Sequence, residues 1–258
     1  MAKINATIGG EHREVLGMFA TLGGVQKRVK AVYVTQGGVY KQVLLNKPLQ
    51  AYTWAEIAAV SESGQASHTW AIGDTKTVTT TEGLTFTAQI ADFDHDDLTA
   101  GGKAGITFVA ADLIGKTYSM NRVAGVPGGY RGTDMYLQHM PQLRGTMPAE
   151  LLAVIKSVTK LSYAVSGDTL TPFDTDFWLP SARELSNTGP EDGIVYPQYS
   201  TTNNTIRIKY VYGTTTARAY WTRTQATSLT WARVTLAGAM STTGKVTTGT
   251  YVPISFCI

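Results

Sequence analysis

The chain has a single cysteine, Cys257, in 258 residues, so no disulfide can close within it and nothing calls for an oxidising compartment. Charge is also scarce. Charged residues make up 16% and the net charge is only +3, spread along the chain, which gives no case for a nucleic-acid partner. No apolar run approaches membrane-spanning length, so membrane insertion is not expected. Met1-Ala2-Lys3-Ile4-Asn5 has no apolar signal region, and the expectation is a protein made in a cytoplasm. The four histidines, His12, His68, His95 and His139, are far apart and lack zinc spacing. Neither a Gly-x-Ser-x-Gly elbow nor a Walker loop occurs, since Gly125 to Gly132 has no following Lys-Ser/Thr. What is present is 43% hydrophobic residues, 26 glycines and abundant Thr and Tyr, the composition of a turn-rich, strand-rich globular protein. Its length is enough to bury a real core in one large domain or two smaller ones.

The most informative stretch is Asp176 to Leu185. Phe177, Trp178 and Leu179 form an apolar run of buried-strand type, and Pro180 ends any ladder because it has no N–H. Ser181 and Glu184 stand at capping-box spacing, with Pro180 and Leu185 placed for a hydrophobic staple. A strand running into a capped helix makes a rigid corner. The segments at 220–223, 231–234 and 251–258 alternate as strands do, and the C-terminal half reads as a sheet closing over that corner.

Residues 1–46 hold an internal repeat. Gly9-Gly10, Gly23-Gly24 and Gly37-Gly38 recur fourteen residues apart, as do Val15, Val29 and Val43. Phe19 and Tyr33 match between the first two copies, and Val25-x-Lys27 matches Val39-Tyr40-Lys41 in the last two. Gly-Gly between β-branched and polar residues signals tight hairpins, so a small β-meander is expected. So thin a sheet is marginal alone. It should pack either on the rest of the chain or on another subunit.

Asn46 to Leu49 is the candidate linker. Thr53 and Glu56 form a second capping box before a helical stripe of Trp54, Ile57, Ala58 and Val60 ending near Gly64. Strands are expected over 69–72, 76–81, 84–91 and 105–109, with a short helix over 134–139. Pro148 to Lys160 is expected as a helix with Leu151, Leu152, Ile155 and Val158 on one face and Lys156 and Lys160 near its C-terminal end. Further strands are expected from Thr205 to Tyr212 onward.

Asp92, Asp94, Asp96 and Asp97 are the one dense acidic cluster, and their spacing opens like a calcium loop. The sixth position is Asp97 where glycine is needed and the twelfth is Lys103 where a glutamate belongs, so the expectation is a capped turn and no metal. Carboxylate pairs for glycoside hydrolysis can be drawn from Asp176, Glu184, Glu191 and Asp192, but any chain this long offers such pairs, and Glu184 is better explained as a cap. The strongest binding constellation is Tyr220, Trp221, Arg223, Trp231 and Arg233, aromatic faces interleaved with guanidiniums. On strands one face is expected inside and the other presented outward; the alternative is that both tryptophans are core. The Thr- and Gly-rich segments at 214–216 and 241–249 are plausible recognition edges.

Tyr52-Thr53-Trp54-Ala55-Glu56-Ile57, Ile72-Gly73-Asp74-Thr75-Lys76, Asp92-Phe93-Asp94-His95-Asp96, Trp178-Leu179-Pro180-Ser181 with Glu184, and Tyr220-Trp221-Thr222-Arg223 together resemble a domain family of phage, prophage and bacterial surface proteins. That family is similar in pattern to the C-type-lectin-like fold of formylglycine-generating enzymes and of variable phage tail adhesins. The resemblance covers roughly residues 50–258, and the glycine repeats look like the hairpin repeats of tail and fibre proteins. The catalytic cysteines of the enzymes, and the disulfides and calcium–sugar motifs of true lectins, have no counterpart here. The resemblance thus implies the fold without either chemistry.

The resulting expectation is an α+β protein. Residues 1–47 are β-hairpin repeats for attachment or oligomerisation, with Gly23, Gly24, Val29, Tyr33, Gly37, Gly38, Tyr40 and Val43 as their key positions. Residues 48–258 are a C-type-lectin-like domain of short helices on antiparallel sheet. The implied function is a phage tail-fibre or adhesin component, not an enzyme and without a cofactor. Its expected partners are other virion proteins, sister copies (a trimer among the options) and a host cell-surface glycan or protein. A head-decoration or neck protein without a receptor is the first alternative, and a cell-surface glycan hydrolase the second.

Overall fold

The computed structural model describes six strands within residues 5–45 and everything from Lys47 to Ile258 apart from residues 126 and 127. The early strands are β1 (Asn5–Ile8), β2 (Glu11–Glu14), β3 (Phe19–Leu22), β4 (Val25–Arg28), β5 (Ala31–Gln36) and β6 (Val39–Leu45). They pair antiparallel two by two, β1 with β2, β3 with β4 and β5 with β6, rather than as one continuous meander. Tyr33 lies opposite Gln42 and Tyr40 opposite Thr35, and Val43 is in β6. Gly23, Gly24, Val29, Gly37 and Gly38 lie outside the described residues.

From Lys47 the protein is α+β. Helix α1 (Trp54–Glu62) starts as its sequence dictates: the Thr53 side chain accepts from the Glu56 N–H while the Glu56 carboxylate accepts from the Thr53 N–H. Its Trp54, Ile57 and Ala58 are buried. A short helix α2 (Ala66–Thr69) follows, and then β7 (Thr75–Thr79), β8 (Thr85–Phe93) and β9 (Ile106–Ala110). The strand expected over 69–72 is absent, because Thr69 ends α2 and the Ala71 N–H bonds to Asp74 in a turn. Helices α3 (Met140–Gly145) and α4 (Ala149–Leu152) precede the hairpin of β10 (Val158–Ala164) and β11 (Thr169–Thr175). A five-residue π-helical turn, Met135–His139, leads into α3 where a short helix was expected. Last come α5 (Ala182–Ser186), the two-residue strands β12 (Lys209–Tyr210) and β13 (Ala217–Arg218), then β14 (Tyr220–Gln225), β15 (Thr230–Val234), β16 (Met240–Lys245) and β17 (Ser255–Cys257).

The expected helix over 148–160 is corrected. It stops at Leu152, and from Val158 the chain is a strand in which Val158, Lys160, Ser162 and Ala164 point inward. Leu151, Ile155 and Val158 fit a helical stripe and the run-up to a strand equally well. The β-branched Val158 and Thr159, with Tyr163, favour the strand once β11 supplies a ladder. Lys160 is therefore inside, not at a helix end. The strand expected from Thr205 is a 3-10 turn over Asn204–Arg207, started by the Asn203 side chain.

The main sheet runs β17-β9-β8-β7, all antiparallel, with β9 buried at every position as a central strand should be. Its core is aromatic: Phe108 and Phe256 stack at 5.1 Å, and Trp54 meets them edge-on at 5.8 and 5.9 Å. The second sheet, β14-β15-β16, is joined to the first through the Asp176–Leu185 corner. Trp178 exchanges two backbone hydrogen bonds with Ser255 of β17, and the Arg223 N–H of β14 donates to the Pro180 carbonyl. Phe177, Trp178, Leu179 and Pro180 are all buried there, with Trp178 paired to β17 through an isolated bridge rather than within a longer strand.

Candidate functional site

Beneath the corner the structure collects charge in its interior. Ser181 caps α5 through the expected box, taking the Glu184 N–H and giving its own N–H to Glu184 Oε2 at 2.8 Å. That cap fixes Glu184 pointing inward, 1% exposed. Arg223, from β14, reaches it with two parallel bonds: Nη1 to Oε2 at 2.6 Å and Nη2 to Oε1 at 2.8 Å. The rest of its guanidinium donates to the carbonyls of Leu161, Leu179 and Asp192. Lys160, from β10, places Nζ 2.8 Å from Glu184 Oε1 and against Asp96 Oδ1. Asp96 Oδ2 accepts from the Thr107 hydroxyl at 2.8 Å.

Burial alone would push the Glu184 carboxyl up. Arg223 and Lys160 more than offset it and hold the group down at about 2. Burial likewise opposes the charge on Lys160, but Asp96 and Glu184 keep its amine above the usual lysine range. Asp192 differs. Its Oδ2 accepts from Thr224 at 2.5 Å, Oδ1 has no hydrogen-bond partner, and burial raises its carboxyl above the ordinary value.

A cleft of about 420 Å³ opens above this network between the Asp92–Asp97 turn, β10 and the loop after α5. Gly193 of that loop passes so close that a Cβ there would stand 2.6 Å from Glu184 Cγ. His95 ties the turn to the loop: Nδ1 is 2.6 Å from Asp92 Oδ2 and Nε2 3.2 Å from the Ile194 carbonyl. Both partners only accept, so the ring satisfies both bonds as the doubly protonated imidazolium. Burial works against that charge, and the Asp92 hydrogen bond with the Asp96 charge outweighs it, leaving His95 above its ordinary value.

The acidic cluster does not converge. Asp92 faces His95, Asp96 goes inward to Lys160 and Thr107, and Asp97 pairs with Lys103 at 2.6 Å. Asp94 has left-handed backbone, φ 49°. Among the described residues no group of three or more acidic, histidine or cysteine side chains is arranged to hold a metal ion. The Asp176 carboxylate is bound by Arg144, Nη2 to Oδ2 at 2.7 Å.

The binding constellation expected on β14 and β15 is corrected. Tyr220, Trp221, Arg223 and Trp231 are each 0% exposed, and only Arg233 reaches intermediate exposure. Every residue of β14 is buried: Trp221 joins the aromatic core, Tyr220 the cluster with Tyr196 and Tyr199, and Arg223 and Thr224 the ion network beneath the corner. Trp221 donates Nε1–H to the Tyr118 carbonyl and Tyr220 its hydroxyl to the Arg207 carbonyl. The Thr-rich edges at 214–216 and most of 241–249 are exposed.

No protein-family profile, curated protein or solved structure matches the chain.

Chemically Glu184 is saturated. Each Glu184 oxygen accepts two hydrogen bonds, from Lys160 and Arg223 on Oε1 and from Ser181 and Arg223 on Oε2. A carboxylate so held is neither a proton donor at neutral pH nor free for a substrate. The Ser181–Glu184 spacing marks Glu184 as a cap, but nothing local in the sequence marks Asp96 and Lys160 as its companions.

Proposed function

We propose that the chain is a bacteriophage virion protein of tail-fibre or adhesin type, a recognition module without catalytic chemistry. Residues 1–47 attach it to the particle or to sister copies, and residues 48–258, a lectin-like domain, meet the host surface. The observation that carries the non-catalytic reading is the saturation of Glu184 by Arg223, Lys160 and Ser181 in the cleft between the Asp92–Asp97 turn, β10 and the loop after α5. The fourteen-residue glycine repeat supports attachment, and short helices on antiparallel sheet support the lectin-like assignment.

With Tyr220, Trp221, Arg223 and Trp231 enclosed, host contact moves to the rim formed by the β14–β15 turn and β16. Leu229, 55% exposed, stands there at the Lys245 end of β16, and Thr242 and Thr243 further along that strand are exposed as well. The Val246 N–H donates to the Leu229 carbonyl, so the two edges form one surface. Fluorescently labelled full-length chain should bind host cells, and Leu229→Ser with Thr243→Lys should abolish binding without lowering Tm. Absence of binding by the unaltered chain, with normal incorporation into particles, would favour a decoration or neck protein. Release of soluble sugars from cell walls would favour the hydrolase.

A further inference from the structure

Lys160 and Asp96 stand where an amine and a carboxyl can condense. Both are buried, 5% and 6% exposed, and Nζ touches Oδ1. The Nζ lies 4.8 Å from the centre of the Trp178 ring and 5.7 Å from that of Tyr196, so two aromatic faces flank the amine at the floor of the cleft. Asp96 Oδ2 faces two hydroxyl donors, Thr107 at 2.8 Å and Tyr196 at 3.4 Å. Glu184 Oε1 accepts from Nζ at 2.8 Å, while Arg223 and Ser181 hold that carboxylate in place.

We infer that Lys160 and Asp96 form an intramolecular isopeptide bond within the folded protein, with Glu184 holding the Lys160 amine against Asp96. The pair is charged at rest. Passage of one proton from Nζ to Oδ1 leaves a free amine and a carboxylic acid with no change in net charge. The amine attacks Cγ, and the negative charge gathers on Oδ2, where the Thr107 and Tyr196 hydroxyls stabilise it. A second Nζ proton passes to the Oδ1 hydroxyl, which leaves as water. The Nζ–Cγ bond forms, the Cγ–Oδ1 bond breaks, and no oxidant or reductant is involved. Apposition by the fold supplies the effective concentration that a free amine and acid lack. Replacing two buried charges by a neutral amide also removes their desolvation cost. Glu184 is not the electrophile, because Arg223 holds both its oxygens as a carboxylate.

The test is mass spectrometry of full-length folded protein after prolonged storage, intact and after unfolding and trypsin digestion. The expected product is a branched species joining residues 77–103 to 157–183, one water lighter than its two parts and uncut after Lys160. Asp96→Asn should give the same branch with loss of ammonia, and Asp96→Ala should give none. If Asp96→Ala does not fold, the ammonia loss in Asp96→Asn carries the test. Linear peptides with free cleavage after Lys160, or a branch at Glu184, would overturn the assignment.

Discussion

Arg223 and Glu184 form a two-pronged ion pair, 2.6 and 2.8 Å long, in which both side chains are sealed from solvent. Arg223→Ala leaves the Glu184 charge without its main partner and should cost about 3–5 kcal/mol. Arg223→Lys should rescue little, because an ammonium cannot reproduce the planar fork. The double variant Arg223→Met, Glu184→Leu should be less destabilised than Arg223→Ala alone. Urea unfolding of the three checks this, and a double variant worse than the single would contradict it.

Acid should loosen the protein through the same carboxylate. Glu184 sits at about 2 in the fold against an ordinary 4.5. Above 4.5 it is ionised in folded and unfolded chains alike, and its full contribution is present. As pH falls from 4.5 towards 2 the unfolded chain takes up a proton that the fold refuses, and stability declines. Asp192 runs the other way, since its raised carboxyl takes a proton first in the fold. Thermal unfolding against pH should therefore fall more steeply below pH 4.5 in the unaltered protein than in Glu184→Gln.

The alkaline side should report His95. Its folded value lies above the ordinary 6.5, so its contribution is complete below 6.5 and is lost as pH rises through the raised value. The groups facing it are Asp92 and Asp96 of its own turn, Lys160 of β10 and the Tyr196 ring, 4.7 Å away. In His95→Gln this slope should vanish. NMR titration of the imidazole gives the value directly, and a titration below 6.5 would contradict the two-acceptor geometry.

Two glycines should tolerate no side chain. A Cβ on Gly244 would lie 2.3 Å from Trp221 Cζ3 and 2.9 Å from the Trp231 carbonyl oxygen, and Gly193 meets Glu184. Gly244→Ala should cost about 1–3 kcal/mol through overpacking. Gly145, with open space around it, is the control and should change little.

Both capping boxes were legible because a cap is a local device: Thr53 with Glu56 and Ser181 with Glu184 need only four consecutive residues. The central strands were legible from apolar runs. Lys160 was not, because its place depends on β11 pairing with β10 and on Asp96, 64 residues away. Arg223 was noticed for its neighbours and read as outward. A guanidinium on a fully buried strand requires a carboxylate from elsewhere in the chain, and no window around 223 contains Glu184.

The proposed function divides the protein into an attaching ribbon and a recognising, non-catalytic head. Its most direct test is the protein content of purified particles made with full-length chain or with residues 1–46 deleted. The expected result is that the deletion abolishes incorporation, while the truncated chain accumulates folded and free. Particles carrying the truncated chain at full copy number would contradict it.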